Sequence, residues 1–380
     1  MKPIYLDYAA ATPADERVIA AMQPFWAEQF YNPSSSYLAA KKVKQAVEDA
    51  RARVAHWLGA KPAEVIFTAG ATESINLAID GVLRAHPDGE MLALATEHDA
   101  VLAAAKQYNH QFIPVHKNGT ANLEALKKMV GDQTVLLSVG YANNEIGTIQ
   151  TLKDIALFVH EVRRLRQLKN NKLPLYLHTD ASQAACYLDI HVSRLGVDLL
   201  TLNGGKMYGP KQSGVLFVKA GINLNPLIVG GGQERGLRSG TENVAAIIGL
   251  ATALDIAQTE RHEAIVKTGA LRNELQRRLT DALPRTVVNG NPKKRLPNNL
   301  HVSWPGVDGE RLLMELDEQG VMASTGAACA ANKDTRSQVL VAIGCSESAA
   351  QGSLRLTLGR QTTQKQIESA AKIIIAAVKK

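Results

Sequence analysis

The chain has 380 residues, of which 46% are hydrophobic and 21% charged, with a formal net charge of +7. This length exceeds one ordinary core, so one large domain and a smaller one are expected. The balance excludes a disordered or fibrous chain, and the most apolar stretches, such as 373–378, are too short to span a bilayer.

The three cysteines, Cys186, Cys329 and Cys345, are odd in number and have no paired spacing. That argues against a disulfide framework, a zinc site or a resident iron–sulfur cluster. The first eight residues read as a strand and carry no signal-peptide core, so a cytoplasmic enzyme with no membrane attachment is expected. Basic residues gather at 163–172 and 293–295, but aromatic residues are only 5% and no nucleic-acid module surrounds them. They read as solvated faces, and no direct nucleic-acid partner is expected.

From residue 65 to 218, short apolar strands (65–67, 92–95, 135–139, 175–177, 199–202, 215–218) alternate with helical stretches such as 73–83, 123–129 and 152–168. This order predicts an α/β fold, a large domain whose mostly parallel sheet is sandwiched by helices. A buried helix over 241–258 and a long polar helix over 259–283 lead into a smaller α+β domain. Its strands are predicted at 300–303, 321–324 and 354–358, with a terminal helix from near Thr363. The expected division is 16–260 for the large domain, and 1–15 with 261–380 for the small one, which carries the Cys329 loop.

Ligands in such sheets bind at the carboxyl ends of strands, so those positions come first. After 65–67 comes Thr68-Ala69-Gly70-Ala71-Thr72-Glu73-Ser74, a small-residue turn into a helix that fits either a phosphate or an ordinary capped helix. After 92–95 comes Thr96-Glu97-His98, whose histidine fits ring stacking, proton transfer or a structural role. After 135–139 a polar turn carries Asn143 and Asn144. After 175–177 come Asp180 and Gln183, an acid suited to a heterocyclic nitrogen, or an N-cap, and an amide suited to a ring oxygen. Finally, Asn203-Gly204-Gly205 delivers Lys206 between two apolar runs. Burial at that turn favours the neutral amine that condenses with an aldehyde; the alternative is a surface lysine on a hairpin. Together the five strand ends describe a site for pyridoxal 5'-phosphate.

Here the chain resembles the cysteine desulfurases of the NifS/IscS type, in the class V aminotransferase branch of fold-type I pyridoxal phosphate enzymes. The resemblance rests on Tyr5-Leu6-Asp7-Tyr8-Ala9-Ala10-Ala11-Thr12-Pro13, Asn32-Pro33-Ser34-Ser35-Ser36, Thr96-Glu97-His98, Asn143-Asn144-Glu145-Ile146-Gly147, Asp180-Ala181-Ser182-Gln183, Lys206-Met207-Tyr208-Gly209-Pro210-Lys211, the 230–241 stretch and Arg355-Leu356-Thr357-Leu358-Gly359-Arg360, in family order along almost the whole chain. It implies Lys206 as the Schiff-base lysine, Asp180 against the pyridinium nitrogen, His98 stacked on the ring, and Gln183 and Asn144 on the ring oxygen and substrate side. Ala71 and Thr72 would hold the phosphate, with Asn203 and Gly205 beside them and Thr241 reaching in from the second subunit of a homodimer. Arg355 would clamp the substrate carboxylate, with Asn32 nearby.

Cys329, on the small-residue stretch Ser324-Thr325-Gly326-Ala327-Ala328-Cys329, would take the sulfur of L-cysteine as a persulfide and pass it to an acceptor protein. Cys186 reads as a small buried hydrophobe, and Cys345 fits either role. Three departures from the family stand out. Asn203 and Gly205 replace a serine and a histidine of the Ser-x-His-Lys turn, which predicts weaker cofactor binding. Tyr37 replaces a histidine, and the sequence ends at Lys380 without the extended tail that docks a scaffold protein. A plain aminotransferase, a selenocysteine lyase and a non-catalytic scaffold are the competing readings.

Overall fold

The computed structural model describes residues 3–325 and 337–380. Its strands are β1 (Ile4–Tyr5), β2 (Val65–Thr68), β3 (Glu90–Leu94), β4 (His110–Ile113), β5 (Thr134–Ser138), β6 (Tyr176–Asp180), β7 (Leu199–Asn203), β8 (Gly214–Val218), β9 (Val287–Val288), β10 (Asn299–Ser303), β11 (Val321–Met322) and β12 (Ser353–Thr357). Seven of them form the main sheet in the order β2-β8-β7-β6-β5-β3-β4. The run from β7 through β6, β5 and β3 to β4 is parallel, while β8 is antiparallel to both β7 and β2.

Strand side chains alternate between two cores, as the two-residue period requires. Phe67, Leu92, Leu94, Leu200, Leu202, Val215 and Phe217 face one core, shared with Val43, Val47 and Val54 of the helix Leu38–Leu58 and with the helix Val244–Thr259. Ile66, Met91, Ala93, Leu199 and Leu216 face the other, shared with Ile75, Ile79 and Val82 of the helix Ala71–Ala85. Burial on both faces explains why these strands read as continuous apolar runs rather than alternating ones. The helix Val244–Thr259 is apolar on nearly every side and largely buried.

Several elements escaped the sequence pattern, among them an edge strand and a long helix. The edge strand β4 is only partly buried and so lacks an apolar signature. Helix Leu38–Leu58, closed by Gly59 in the left-handed region at φ 62°, precedes the first strand that the alternation picked out.

A separate core gathers Ile4 and Leu6 with Leu271, Leu275, Leu300, Val302, Leu354, Leu356, Ile367 and Ile374. It holds the antiparallel sheet β12-β10-β9, the parallel pair β1-β11, and the helices Arg261–Ala282 and Gln364–Val378. The last helix opens with a capping box between Thr363 and Gln366, matching its expected start. Among the described residues, no helix is long and apolar enough to cross a membrane.

Candidate active site

The residues that follow β2, β3, β5, β6 and β7 meet in one cavity of about 220 Å³, and Arg355 of β12 closes it from the smaller sheet. A wider cavity of about 580 Å³ adjoins it, sharing Ala10, Ala71, Thr72, Asn203 and Lys206 and adding Gly70, Gly205 and Lys211. The convergence follows from topology, because parallel strands bring their carboxyl ends to one edge.

Lys206 ends the short turn Gly204–Lys206, which Asn203 caps by accepting the Gly205 N–H at 3.0 Å. Gly204 is demanded by close approach: a Cβ there would stand 2.1 Å from Ser213 Oγ. Gly205 is not so constrained, since a Cβ would meet nothing nearer than 3.5 Å. The Lys206 amine is half-buried rather than sealed away, and Nζ donates to the carbonyls of Ala9 (2.9 Å) and Ala10 (2.6 Å). The N-terminal segment therefore forms part of the site wall. Gln183 Nε2 donates to the same Ala9 carbonyl at 3.0 Å, and Thr12 Oγ1 donates to the Gly205 carbonyl at 3.1 Å.

Asp180 closes β6, and its Oδ1 accepts both the N–H (2.9 Å) and the hydroxyl (2.6 Å) of Ser182. Two residues before it, His178 is fully buried between Ser138 Oγ (2.9 Å) and Thr201 Oγ1 (3.1 Å). Burial pushes its pKa down to about 4 against the opposing pull of Asp180. Glu97 also lines the cavity, accepting the Gly140 N–H at 2.5 Å. Burial first, and the Asp180 charge second, raise its pKa to about 8. His98 caps the helix Asp99–Ala105, its Nδ1 accepting the Ala100 N–H at 3.1 Å.

Helix Ala71–Ala85 begins after Gly70, at φ 150° and ψ 178°, where a side chain would strain the backbone and no side chain caps the first turn. A Cβ on Gly70 would meet nothing within 4 Å. The helix start therefore opens onto the wider cavity, an arrangement that suits an anion. Opposite it, Arg355 is 2% exposed. Its Nη2 donates to Asp7 Oδ1 at 2.7 Å and its Nη1 reaches the Asn144 carbonyl at 3.4 Å, while Nε is buried with no hydrogen-bond partner.

The Aminotransferase class-V family profile matches residues 4–369. The chain belongs to this family. It is 39% identical over 388 residues to a protein named cysteine desulfurase IscS from Clostridium botulinum strain Hall, covering 100% of this chain and 95% of the relative. It is 38% identical to cysteine desulfurase IscS 1 of Archaeoglobus fulgidus, covering 99% and 97%. Among solved structures, a NifS-like protein superposes with a TM-score of 0.89 at 33% identity, covering 99% of both chains. SspA in complex with cysteine gives 0.80 at 32% identity, covering 93% of this chain and 98% of that one. The fold expected from sequence is thus the fold of the family.

Of the residues expected to form the site, Ala71, Thr72, His98, Asn144, Asp180, Gln183, Asn203, Lys206 and Arg355 line the first cavity, and Gly205 lines the adjoining one. Asn32 and Thr241 are not brought there within one chain. Asn32 is exposed on the loop before helix Leu38–Leu58, where its Oδ1 accepts the Ser34 N–H at 2.9 Å. Thr241 is exposed and borders a different cavity, beside Glu234 and Arg238. Cys329 lies outside the described residues. Sequence reasoning assigned no role to Asp7, Glu97 or Glu145. All three stand inside motifs it quoted, and a charged residue just after an apolar strand was the available signal.

Proposed function

We propose that the protein is a pyridoxal 5'-phosphate-dependent cysteine desulfurase, converting L-cysteine to L-alanine and holding the sulfur as a persulfide on Cys329. The observation that carries this reading is one cavity in which the Lys206 amine, the Asp180 carboxylate and the Arg355 guanidinium converge beside an uncapped helix start. Full-length similarity to proteins named cysteine desulfurase supports it, as does similarity to a protein solved with cysteine.

The residues present fit the cofactor. An acid at a strand end and an amine line the same cavity, and an open helix start with no Cβ-filling group offers room for a phosphate. Arg355 lines the cavity, and its Nη1, which makes only a 3.4 Å contact with the Asn144 carbonyl, is a donor suited to a substrate carboxylate. When bound, the cofactor supplies an electron sink for negative charge at the substrate α-carbon. Lys206 would hold its aldehyde carbon and move the α-carbon proton. Asp180 would keep the ring nitrogen protonated, His98 would cover the ring face, and Gln183 and Asn144 would bond the ring oxygen and the substrate. Ala71, Thr72, Asn203 and Gly205 would surround the phosphate, with Thr241 of a second copy in a homodimer.

Arg355 pairs with the carboxylate of L-cysteine and sets its sulfur toward Cys329. The Cys329 thiolate attacks that sulfur; an S–S bond forms, the Cβ–S bond breaks, and its electron pair remains with the substrate carbon, which is then protonated. L-Cysteine and an enzyme thiol thereby become L-alanine and an enzyme persulfide, the substrate carbon reduced and the thiol oxidised. Neither described cysteine suits this task. Burial raises the Cys186 thiol to about 11 and also pushes the Cys345 thiol up, against the thiolate a nucleophile needs. We further assign the persulfide to a sulfur-acceptor protein in iron–sulfur assembly or thiolation, in the cytoplasm, and the domain boundary to residues 15/16 and 260/261.

The test is to incubate purified holoenzyme with L-cysteine and measure alanine, persulfide on Cys329 and reductant-released sulfide. Equal alanine and sulfide, both lost in Cys329→Ala, is the expected result. Alanine formation at the unaltered rate in Cys329→Ala would instead make the protein a lyase, and conversion of L-cysteine to its sulfur-retaining 2-oxo acid would make it an aminotransferase.

A further inference from the structure

Glu73 is the single acid among the residues that line the wider cavity, beside the lysines Lys206 and Lys211. It stands in the first turn of the helix Ala71–Ala85, whose open start is the anion-suited feature of that cavity. A carboxylate there works against an anion, yet both of its oxygens are engaged. Oε2 accepts the Ala69 N–H at 3.0 Å, reaching back past the helix start to the turn after β2. Oε1 accepts from Nε of Arg238 at 3.0 Å, across 165 residues of sequence. The Glu73 and Arg238 side chains are only 16% and 25% exposed, so water screens the pair less than it would an open surface bridge.

Arg238 comes from the 230–241 stretch, whose backbone is held by other bonds. Glu234 of that stretch pairs with Arg51 through two contacts of 2.8 Å, with both side chains buried, and its Oε2 also accepts the Phe67 N–H at 2.8 Å. Ser239 N–H donates to the Ile228 carbonyl at 3.1 Å, and Gly240 N–H donates to Gln233 Oε1 at 2.9 Å. The turn on the other side has its own support, since the hydroxyls of Thr68 and Ser74 meet at 2.7 Å. Neither segment therefore depends on the Arg238 guanidinium for its shape. What that group adds is a positive charge against Glu73.

We propose that Arg238 is a positioning residue for the cofactor phosphate: its guanidinium neutralises Glu73, so that this carboxylate tethers the turn before the helix without repelling an anion in the wider cavity. The inference rests on the pyridoxal 5'-phosphate reading above. A carboxylate and a phosphate both favour the positive end of a helix, so here they compete for one field. Without Arg238, Glu73 would hold the turn and oppose the ligand at the same time. The ion pair separates the two effects, keeping the hydrogen bond to Ala69 and cancelling the charge.

The experiment titrates full-length protein, stripped of cofactor, with pyridoxal 5'-phosphate and in parallel with pyridoxal, which lacks the phosphate, and reads Kd from cofactor absorbance. The variants are Arg238→Ala, Glu73→Gln, Glu73→Ala and the Arg238→Ala/Glu73→Gln pair. Arg238→Ala is expected to weaken pyridoxal 5'-phosphate about tenfold and pyridoxal by less than about twofold, with the phosphate-specific loss shrinking at high salt. The pair should return to within about twofold of the parent, because the amide of glutamine still accepts from Ala69 and carries no charge. Glu73→Ala removes the tether as well, and should bind pyridoxal 5'-phosphate about fivefold more weakly than Glu73→Gln. Equal weakening of the two ligands, unchanged affinity in Arg238→Ala, or a pair as weak as Arg238→Ala alone would each overturn the assignment, and equal affinity of Glu73→Ala and Glu73→Gln would refute the tether. Should Arg238→Ala fail to fold, Arg238→Gln carries the same comparison. Failure of the parent protein to bind pyridoxal 5'-phosphate would refute the cofactor reading itself, an outcome distinct from parent-like affinity in every variant.

Discussion

Arg355→Lys keeps a cation at the base of the cavity and removes the planar fork, which makes it the most direct test of substrate binding. In the structure one nitrogen of the guanidinium is committed to Asp7 at 2.7 Å. The second has only a long contact of 3.4 Å with the Asn144 carbonyl, and the third is buried without a partner. The remaining Nη N–H groups are therefore left to grip a carboxylate, and each charge-assisted hydrogen bond contributes about 1.5–3 kcal/mol. A lysine ammonium, still drawn to Asp7, can replace one of them. The expected loss is one such bond, or roughly 10- to 150-fold in the Kd of L-cysteine. The assay is an equilibrium titration of cofactor absorbance with L-cysteine and, in parallel, with cysteamine, which lacks the carboxylate. Arg355→Lys should weaken L-cysteine by that factor and cysteamine by less than about twofold. Equal weakening of the two ligands, or none for L-cysteine, would show that Arg355 does not read the carboxylate.

Two further changes probe the cofactor side. Gly205→His is accommodated at its Cβ, which meets no atom nearer than 3.5 Å, and position 205 borders the wider cavity; an added imidazole donor should tighten pyridoxal phosphate by about one hydrogen bond, ~1 kcal/mol or about fivefold in Kd. Retention of cofactor after dialysis measures it, and an unchanged or lower affinity would mean that the glycine is not what weakens binding. Glu97 has its folded pKa raised to about 8 by burial and by Asp180, so the native state holds a proton that the unfolded chain releases near its ordinary value. With fewer protons on the unfolded chain, stability falls as pH rises. Its contribution is complete below the unfolded pKa and is lost as pH climbs through about 8. Glu97→Gln should flatten that part of the curve, gaining stability over the parent more at pH 8.5 than at pH 5.5 in chemical denaturation. An identical pH slope in the two proteins would place an ionised carboxylate at Glu97.

Residue order alone determined the class of fold and most of one cavity. Buried parallel strands must be apolar throughout, so their ends stand out, and the polar residues placed there, from Thr72 to Lys206, fall on one edge by topology. What it left out has a common physical origin. Edge strand β4 faces partly outward and carries no apolar run. Asp7 meets Arg355 across 348 residues, the Ala9 carbonyl meets Lys206 across 197, and Glu145 meets Ser337 across 192. Nothing local in either partner announces such a pair, because the contact exists only after two sheets and an N-terminal segment have packed together. For the same reason nothing in the sequence marks Glu97 or Glu145 as buried, and only the closed fold strips their water and raises their pKa values. Tertiary packing also left Asn32, expected near Arg355, at the surface of a single chain.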